Sequence, residues 1–156
     1  MLHGDAQYAP EMIPKLLDPL EKDNADMVFG SRMKGDPLKG GMPIWKFIGN
    51  RISTMIENWV LGLDLSEFHS GFRLYSCKAL KKIPFRLCSD YFDFDTDILI
   101  QFKLANFRIA EIPIPTYYGE EKCHVNYYHY FSNIFKSLAN YILFRKGLKK
   151  IRKFEI

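Results

Sequence analysis

The sequence has few cysteines and no long apolar run. Its three cysteines, Cys77, Cys88 and Cys123, are too few and too widely spaced for a disulfide framework or a C-x-x-C metal site. We therefore expect reduced thiols and a cytoplasmic protein. The first residues contain neither the basic segment nor the apolar segment of a signal peptide. Charged residues interrupt each apolar run before it reaches the length of a bilayer, so we expect no membrane-crossing segment in this sequence.

Acidic residues are nearly absent from the end of the chain. Beyond residue 135, Glu155 stands against the basic residues Lys136, Arg145, Lys146, Lys149, Lys150, Arg152 and Lys153. Two interpretations stay open: a basic, aromatic helix in contact with an anionic membrane surface, or a solvated helix end whose cations suit the helix dipole. We expect no nucleic-acid partner, because no nucleic-acid-binding motif is present and the aromatic residues follow the periods of core residues.

The chain has enough apolar residues to form the core of one domain. The chain has 156 residues, of which 47% are hydrophobic and 15% aromatic. A helix is predicted over residues 12–20, with Pro19 bending or ending it. Strands are predicted at residues 27–29 and in "FRIAEIPI", with a loop at 33–42 and a helix at 95–105 between or beside them. This alternation predicts an α/β domain with a mainly parallel sheet flanked by helices.

The longest predicted helix covers residues 44–63. Its apolar residues recur at helical spacing and form one stripe: Trp45, Ile48, Ile52, Met55, Ile56, Trp59 and Leu63. Such a stripe usually faces the interior of the protein. We therefore predict that Trp45 and Trp59 belong to the core.

Three polar loops stand where strands are predicted to end: "HGDAQ", "GSRMKGD" and "SEFHSGFR". Ligands of open α/β sheets gather at such loops. Asp5 and Gln7 offer the hard oxygen ligands that Mg²⁺ or Mn²⁺ prefers. An Asp-x-Gln segment before a helix is also typical of a capping loop, so both interpretations of this segment stay open.

The other two loops carry groups that suit a phosphate. Arg32 and Arg73 provide fork-shaped donors. Ser70 and Gly71 add a hydroxyl group and an approachable backbone beside Arg73. A divalent cation with arginines around one crevice would suit a diphosphate leaving group.

Four segments, in order, resemble a known family: "HGDAQYAPE", "GSR", "HSGFRLYS" and "RIAEIPIPTYYG". The chain resembles family 2 glycosyltransferases of the GT-A fold, and within them the branch of the polyprenyl-phosphate (dolichol-phosphate mannose type) sugar transferases. The likeness runs from residue 2 to about residue 145. It implies that residues 1–148 are the C-terminal portion of a GT-A domain, followed by a basic tail at 149–156.

The resemblance also assigns roles to the metal loop. Asp5 matches the second aspartate of the family's D-x-D motif, and His3 takes the place of the first. The implied metal ligands are therefore His3, Asp5 and Gln7, binding Mg²⁺ or Mn²⁺.

The resemblance implies that the other two loops bind the substrate. Arg32 matches the G-S-R arginine, which faces a phosphate of the acceptor or donor. Glu67 stands where relatives usually carry Asp in D-x-x-S-G-F-R. Three further residues match that motif directly: Ser70, Gly71 and Arg73.

The implied activity is a metal-dependent, inverting transfer of a sugar from a UDP- or GDP-sugar to a polyprenyl phosphate or a saccharide hydroxyl. A lipid phosphate is already anionic and needs no general base, whereas a hydroxyl needs one, with Glu67 the first candidate and His69 the second. An enzyme that uses a lipid acceptor is expected at the cytoplasmic face of the membrane. The alternative is a non-catalytic, basic membrane-surface module or a degenerate transferase.

The position of the metal loop carries one more expectation. In the family this loop lies in the middle of the catalytic domain, after the first strands and most of the nucleotide pocket. We therefore expect this chain to be part of a larger glycosyltransferase, with at most feeble transferase activity alone.

Overall fold

The computed structural model describes residues 8–91, 93–118 and 127–156. Two units are formed in these ranges. The first consists of residues 8–76 and 108–118. The second consists of residues 77–91, 93–107 and 127–156.

The first unit is built on a three-stranded sheet. Its strands are β1 (Met27–Ser31), β2 (Arg73–Tyr75) and β3 (Ile109–Pro113), in the order β2-β1-β3. β1 runs parallel to β3 and antiparallel to β2, and it is buried along its whole length because it has a neighbour on each side. The predicted α/β class is confirmed; the sheet, predicted to be mainly parallel, has one parallel and one antiparallel pair of strands.

Helix α1 (Ile13–Glu21) follows a 3-10 turn at Pro10–Met12, as the apolar spacing predicts. Pro19 lies inside the helix and does not end it, since the helix continues to Glu21. The Pro19 carbonyl oxygen accepts the N–H groups of Asn24 and Ala25, which closes the helix end. These bonds satisfy a carbonyl group that has no partner within the helix.

The core of the first unit lies between α1 and the sheet. Its buried members are Tyr8, Leu16, Ala25, Val28, Phe72 and Ile114. The rings of Tyr8 and Phe72 pack with centroids 5.7 Å apart. This cluster fixes the carboxyl end of β1, from which the loop that carries Arg32 begins.

Helix α2 (Ile44–Leu61) has its predicted position but the opposite orientation. The prediction that Trp45 and Trp59 belong to the core is wrong: they are 58% and 84% exposed. The rest of the exposed stripe consists of Ile44, Ile48, Ile52 and Met55. The opposite, buried face of the helix contains polar residues, among them Glu57, that have specific partners inside the unit.

The glycine-rich stretch between β1 and α2, predicted as a loop, consists of turns. Gly35 and Gly40 lie against the segment that follows β3. A Cβ atom at Gly35 would collide with the carbonyl oxygen of Ile114, and one at Gly40 with that of Thr116. The loop is therefore packed closely at these two positions.

The second unit is helical. It contains α3 (Cys77–Leu80), α4 (Phe94–Leu104) and α5 (Tyr127–Arg145). The predicted helix at 95–105 is confirmed, and three of its apolar side chains are fully buried: Ile98, Leu99 and Phe102. Within the described ranges, the structure contains no helix with both the length and the apolar character needed to cross a membrane.

Part of the basic chain end is packed in the second unit. A 3-10 turn at Arg152–Phe154 buries the Phe154 side chain. Lys153 Nζ lies 2.7 Å and 2.6 Å from the two carboxylate oxygens of Asp97 on α4. Ser137 Oγ of α5 donates to the same carboxylate at 2.9 Å. These contacts join the chain end to α4 and α5.

Candidate active site

The site contains an ion pair between two of the polar loops. Arg32, directly after β1, donates from Nε to Glu67 Oε2 at 2.9 Å and from Nη2 to the same oxygen at 2.5 Å. The other oxygen, Oε1, accepts the backbone N–H of Arg32 and that of Met33. The Glu67 side chain is fully buried, whereas that of Arg32 is 14% exposed. The pair fixes a guanidinium group at the carboxyl end of β1.

Two further groups hold the same guanidinium. Arg32 Nη2 donates to the carbonyl oxygen of His69 at 2.9 Å, and Nη1 donates to the hydroxyl of Tyr118 at 3.2 Å. Burial alone lowers the pKa of Arg32, but Glu67, with Tyr8 and Tyr118, outweighs it and raises the pKa well above the usual value. Burial raises the pKa of Tyr118 in spite of the nearby Arg32. Arg32 is therefore a permanent cation and Tyr118 a neutral phenol at physiological pH.

Arg73 lies in the same unit but is turned inward. Its side chain is fully buried. Nε donates to the carbonyl oxygen of Ser70 at 2.6 Å, Nη2 donates to that of Phe68, and the guanidinium stacks 5.8 Å from the Phe29 ring centroid. In this structure Arg73 holds the backbone of the loop that carries Glu67.

Ser70 and Gly71 are also part of the loop's attachment. Ser70 Oγ donates to the carbonyl oxygen of Gly30 in β1. The Gly71 N–H donates to the hydroxyl of Tyr8 at 3.0 Å. Both residues are buried. The predicted substrate-binding residues Ser70, Gly71 and Arg73 therefore lie together, and their hydrogen bonds hold the loop in place.

His69 is paired with a residue that the sequence did not single out. Its Nε2 lies 2.9 Å from Oε2 of Glu57 on α2, and the side chains are 7% and 0% exposed. The imidazole is thus directed at the helix. The nearby Asn58 side chain forms two bonds with the Leu65 backbone, at 2.7 Å and 2.9 Å.

A second polar cluster beside the site was missed. Glu111 of β3 accepts the N–H and the hydroxyl of Ser66 at 2.8 Å and 2.5 Å, and it pairs with Lys34 Nζ at 2.8 Å. The hydroxyl of Ser31 lies 2.5 Å from that of Ser66. The sequence does contain a sign of this cluster: Glu111, in the quoted segment "RIAEIPIPTYYG", is an acidic residue inside a strand.

The predicted metal ligands His3, Asp5 and Gln7 lie outside the described residues. Within residues 8–91, 93–118 and 127–156, no three His, Cys, Asp or Glu side chains come together to hold a metal ion. The metal site therefore stays a prediction from the sequence.

The arrangement after β1 is a fixed cation beside a buried carboxylate, at the strand end where α/β proteins bind ligands. The profile of the family described as "Glycosyl transferase family 2" matches residues 1–84. The chain belongs to this family. Members of the glycosyl transferase family 2 generally use divalent cations. The family predicted from the four segments is thus confirmed.

This family 2 chain is similar to proteins of Methanococcus voltae and Haloferax volcanii. It is 33% identical over 117 residues to the UDP-N-acetylglucosamine–dolichyl-phosphate N-acetylglucosaminyltransferase of Methanococcus voltae, covering 75% of this chain and 47% of the relative. It is 34% identical over 120 residues to the low-salt glycan biosynthesis hexosyltransferase Agl6 of Haloferax volcanii, covering 76% and 28%. The chain thus spans about half or less of the length of these relatives. No solved structure gives a significant match.

Proposed function

We propose that this chain forms the acceptor-side part of a glycosyltransferase that moves a sugar from a UDP- or GDP-sugar to a polyprenyl phosphate, with a saccharide hydroxyl as the alternative acceptor. The observation that carries the proposal is the Arg32 guanidinium, fixed by three acceptor groups and still partly exposed. The name of the Methanococcus relative, with its dolichyl-phosphate acceptor, supports a lipid phosphate.

The chemistry requires one bond to form and one to break. An acceptor oxygen attacks the anomeric carbon while the bond from that carbon to the nucleotide diphosphate breaks, with inversion. A phosphate monoester is mostly doubly ionised at neutral pH, since its second pKa is about 6, so no proton has to be removed. The permanent cation of Arg32 donates its remaining Nη1 N–H to such a phosphate in one charge-assisted hydrogen bond and aligns its oxygen.

The environment of Glu67 favours a positioning role over that of a base. Arg32 already occupies its carboxylate through the side chain and the backbone. A base has to reach the proton that it removes, which a buried and paired carboxylate does not do. This geometry supports the phosphate acceptor, which needs no base.

A divalent cation, Mg²⁺ or Mn²⁺, would neutralise the leaving diphosphate. The proposed ligands remain His3, Asp5 and Gln7. Their oxygen and imidazole groups suit Mn²⁺ in particular, because imidazole is an ordinary ligand of the transition metals.

Binding of farnesyl phosphate to the 156-residue chain tests the acceptor part of this proposal. We expect the Arg32→Gln variant to bind the phosphate at least about tenfold more weakly, because one charge-assisted hydrogen bond contributes roughly 1.5–3 kcal/mol. Arg108→Gln is the matched control, since Arg108 pairs with Asp23 and Asp26 at an exposed position. Equal binding by wild type and Arg32→Gln would contradict the proposal.

The transfer reaction is measured with labelled UDP- and GDP-sugars, Mn²⁺ and polyprenyl phosphate, on a protein that includes any segment encoded in frame before Met1. We expect turnover that falls at least about a hundredfold in Arg32→Gln, the size of a lost transition-state contact. For the 156-residue chain alone we expect feeble transfer. Turnover of the Arg32→Gln variant of that protein at the wild-type rate would remove Arg32 from the reaction.

The outer face of α2 favours a second candidate function, binding to an anionic membrane surface. Six large apolar side chains occupy one sector of the helix: Ile44, Trp45, Ile48, Ile52, Met55 and Trp59. Arg51 lies beside this sector, whereas Lys46 packs over the Tyr118 ring, with Nζ 5.3 Å from its centroid, and the one acidic residue of the helix, Glu57, is buried. An apolar face with tryptophan and with a cation at its edge suits the boundary of lipid headgroups and acyl chains.

Co-sedimentation with vesicles of phosphatidylglycerol and phosphatidylcholine tests this second function. We expect a Trp45→Ala/Trp59→Ala double variant to bind at least about tenfold more weakly, since each buried aromatic side chain contributes roughly 1.5–3 kcal/mol. The matched control is Tyr91→Ala/Tyr128→Ala, which removes two aromatic side chains that are 75% and 80% exposed. Unchanged binding would exclude this face. A dimer in ultracentrifugation that dissociates in the tryptophan variant would instead assign the face to a second copy of the chain.

A further inference from the structure

Glu57 is a buried carboxylate on the inner face of α2. Its side chain is fully buried, and its Oε2 lies 2.9 Å from His69 Nε2. A carboxylate without a partner is costly at such a depth, so the bond to the imidazole ring is a strong constraint on both residues. The helix therefore holds the His69 side chain in one place.

His69 passes this constraint to the site through its backbone. Its carbonyl oxygen accepts the hydrogen bond from Arg32 Nη2 at 2.9 Å. The ring is held on one side by Glu57, and the peptide group on the other side holds the guanidinium. A displacement of the ring would move the acceptor that orients Arg32.

The loop is held by α2 at two points. Asn58, next to Glu57 on the helix, bonds both the N–H and the carbonyl oxygen of Leu65. The two attachments, at Leu65 and His69, lie on either side of Glu67. The helix thus fixes the loop before and after the carboxylate that pairs with Arg32.

We propose that Glu57 is a positioning residue of the candidate site: its carboxylate fixes His69 and, through the His69 carbonyl group, the orientation of the Arg32 guanidinium. The geometry assigns Glu57 no contact with substrate. The catalytic meaning of this arrangement rests on the proposed function, but the arrangement itself is testable without turnover.

The test is the side-chain Nε–H signal of Arg32 in heteronuclear NMR of the 156-residue chain, assigned by its loss in Arg32→Lys. We expect Glu57→Ala and His69→Ala each to shift this signal and to speed its exchange with water roughly two- to tenfold, the factor for loss of about one hydrogen bond. Glu57→Gln retains an acceptor oxygen, so we expect it to restore most of the wild-type behaviour.

Ser53→Ala is the matched control, because Ser53 is buried on the same helix and its hydroxyl bonds only the Asn50 carbonyl oxygen among the contacts seen for it. We expect the Arg32 signal to stay unchanged in this variant. An unchanged Arg32 signal in folded Glu57→Ala or His69→Ala would overturn the proposal. If one of them does not fold, the other decides, since each removes the same contact from a different side. A chain without transferase activity but with the expected shifts would separate failure of the proposed function from failure of this inference.

Discussion

Helices α2 and α4 have similar sequence signals and opposite surroundings. Both carry apolar residues at helical spacing. In α4 the residues from Ile98 to Phe102 are buried, including the polar Gln101. In α2 the buried residues are mostly polar, and the apolar sector is exposed. Periodicity therefore identifies a face of a helix, but it does not tell what that face meets.

The difference follows from where the polar groups find partners. Glu57 of α2 has His69 and Asn58 has the Leu65 backbone, all inside the first unit. Asp97 of α4 has Lys153 and Ser137 inside the second unit. A buried polar group needs a partner, so the face that carries specific polar contacts is the one that turns inward.

The largest contrast expected between the helices concerns stability. Phe102→Ala should lower the free energy of unfolding by about 3–5 kcal/mol, because a buried aromatic side chain is removed and a cavity is left. Trp59→Ala removes a larger side chain, yet we expect a change within about 0.5 kcal/mol, as for other exposed positions. Urea denaturation measures both. A comparable loss in Trp59→Ala would mean that the outer face of α2 is covered in solution.

The next contrast concerns the exclusion of solvent around α4. Burial raises the pKa of Cys88 to about 12 from an ordinary 9.0, with Asp97 adding to the effect and Lys153 opposing it. Thiolate is the reactive form, so a rise of about three pH units lowers the thiolate fraction roughly a thousandfold at pH 8.

We therefore expect iodoacetamide to modify Cys88 roughly a thousandfold more slowly in the native chain than in urea, as measured by mass spectrometry of the peptide. Native reactivity should rise about tenfold with each pH unit, as the thiolate fraction does, and should level off only near pH 12. The exposed Cys77 serves as the internal control for reagent quality. Equal rates for Cys88 in the native and unfolded chains would show that water reaches this side of α4.

The smallest contrast concerns two glycines of α2. Gly62 ends the helix with φ +62°, so Gly62→Ala should cost about 1–2 kcal/mol, the price of a left-handed conformation for a residue with Cβ. Gly49 lies within the helix, and an added Cβ would meet nothing within 4 Å. We expect Gly49→Ala to raise stability by about 0.5–1 kcal/mol. Thermal unfolding of the two variants should therefore shift in opposite directions, and shifts of the same sign would contradict this account of the helix end.

Much of the local structure could be predicted from the sequence. The helices at residues 13–21 and 94–104, the buried strand β1 and the strand at Ile109–Pro113 all follow from periodicity and from the positions of proline and glycine. These signals arise within a few neighbouring residues. The antiparallel direction of β2 is different, since it depends on a partner strand more than 40 residues earlier in the chain.

The candidate site was predictable in its members and less so in their arrangement. Arg32 and Glu67 were both chosen from motifs, but their pairing across 35 residues is visible only in three dimensions. The same holds for Glu57, which looks like one more charged residue of an amphipathic helix until its contact with His69 is seen. A motif names residue types, whereas the fold decides which of them face each other and which face inward.

The close packing of Gly35 and Gly40 against the carbonyl oxygens of Ile114 and Thr116 bears on how variation in this protein should be read. Any side chain at these positions would push the loop off the backbone that follows β3. A library of random variants selected for folding alone would therefore return glycine at both positions. Invariance in this loop, although it lies next to Arg32, would report the fit between two backbones and would not be evidence of contact with a sugar or a phosphate.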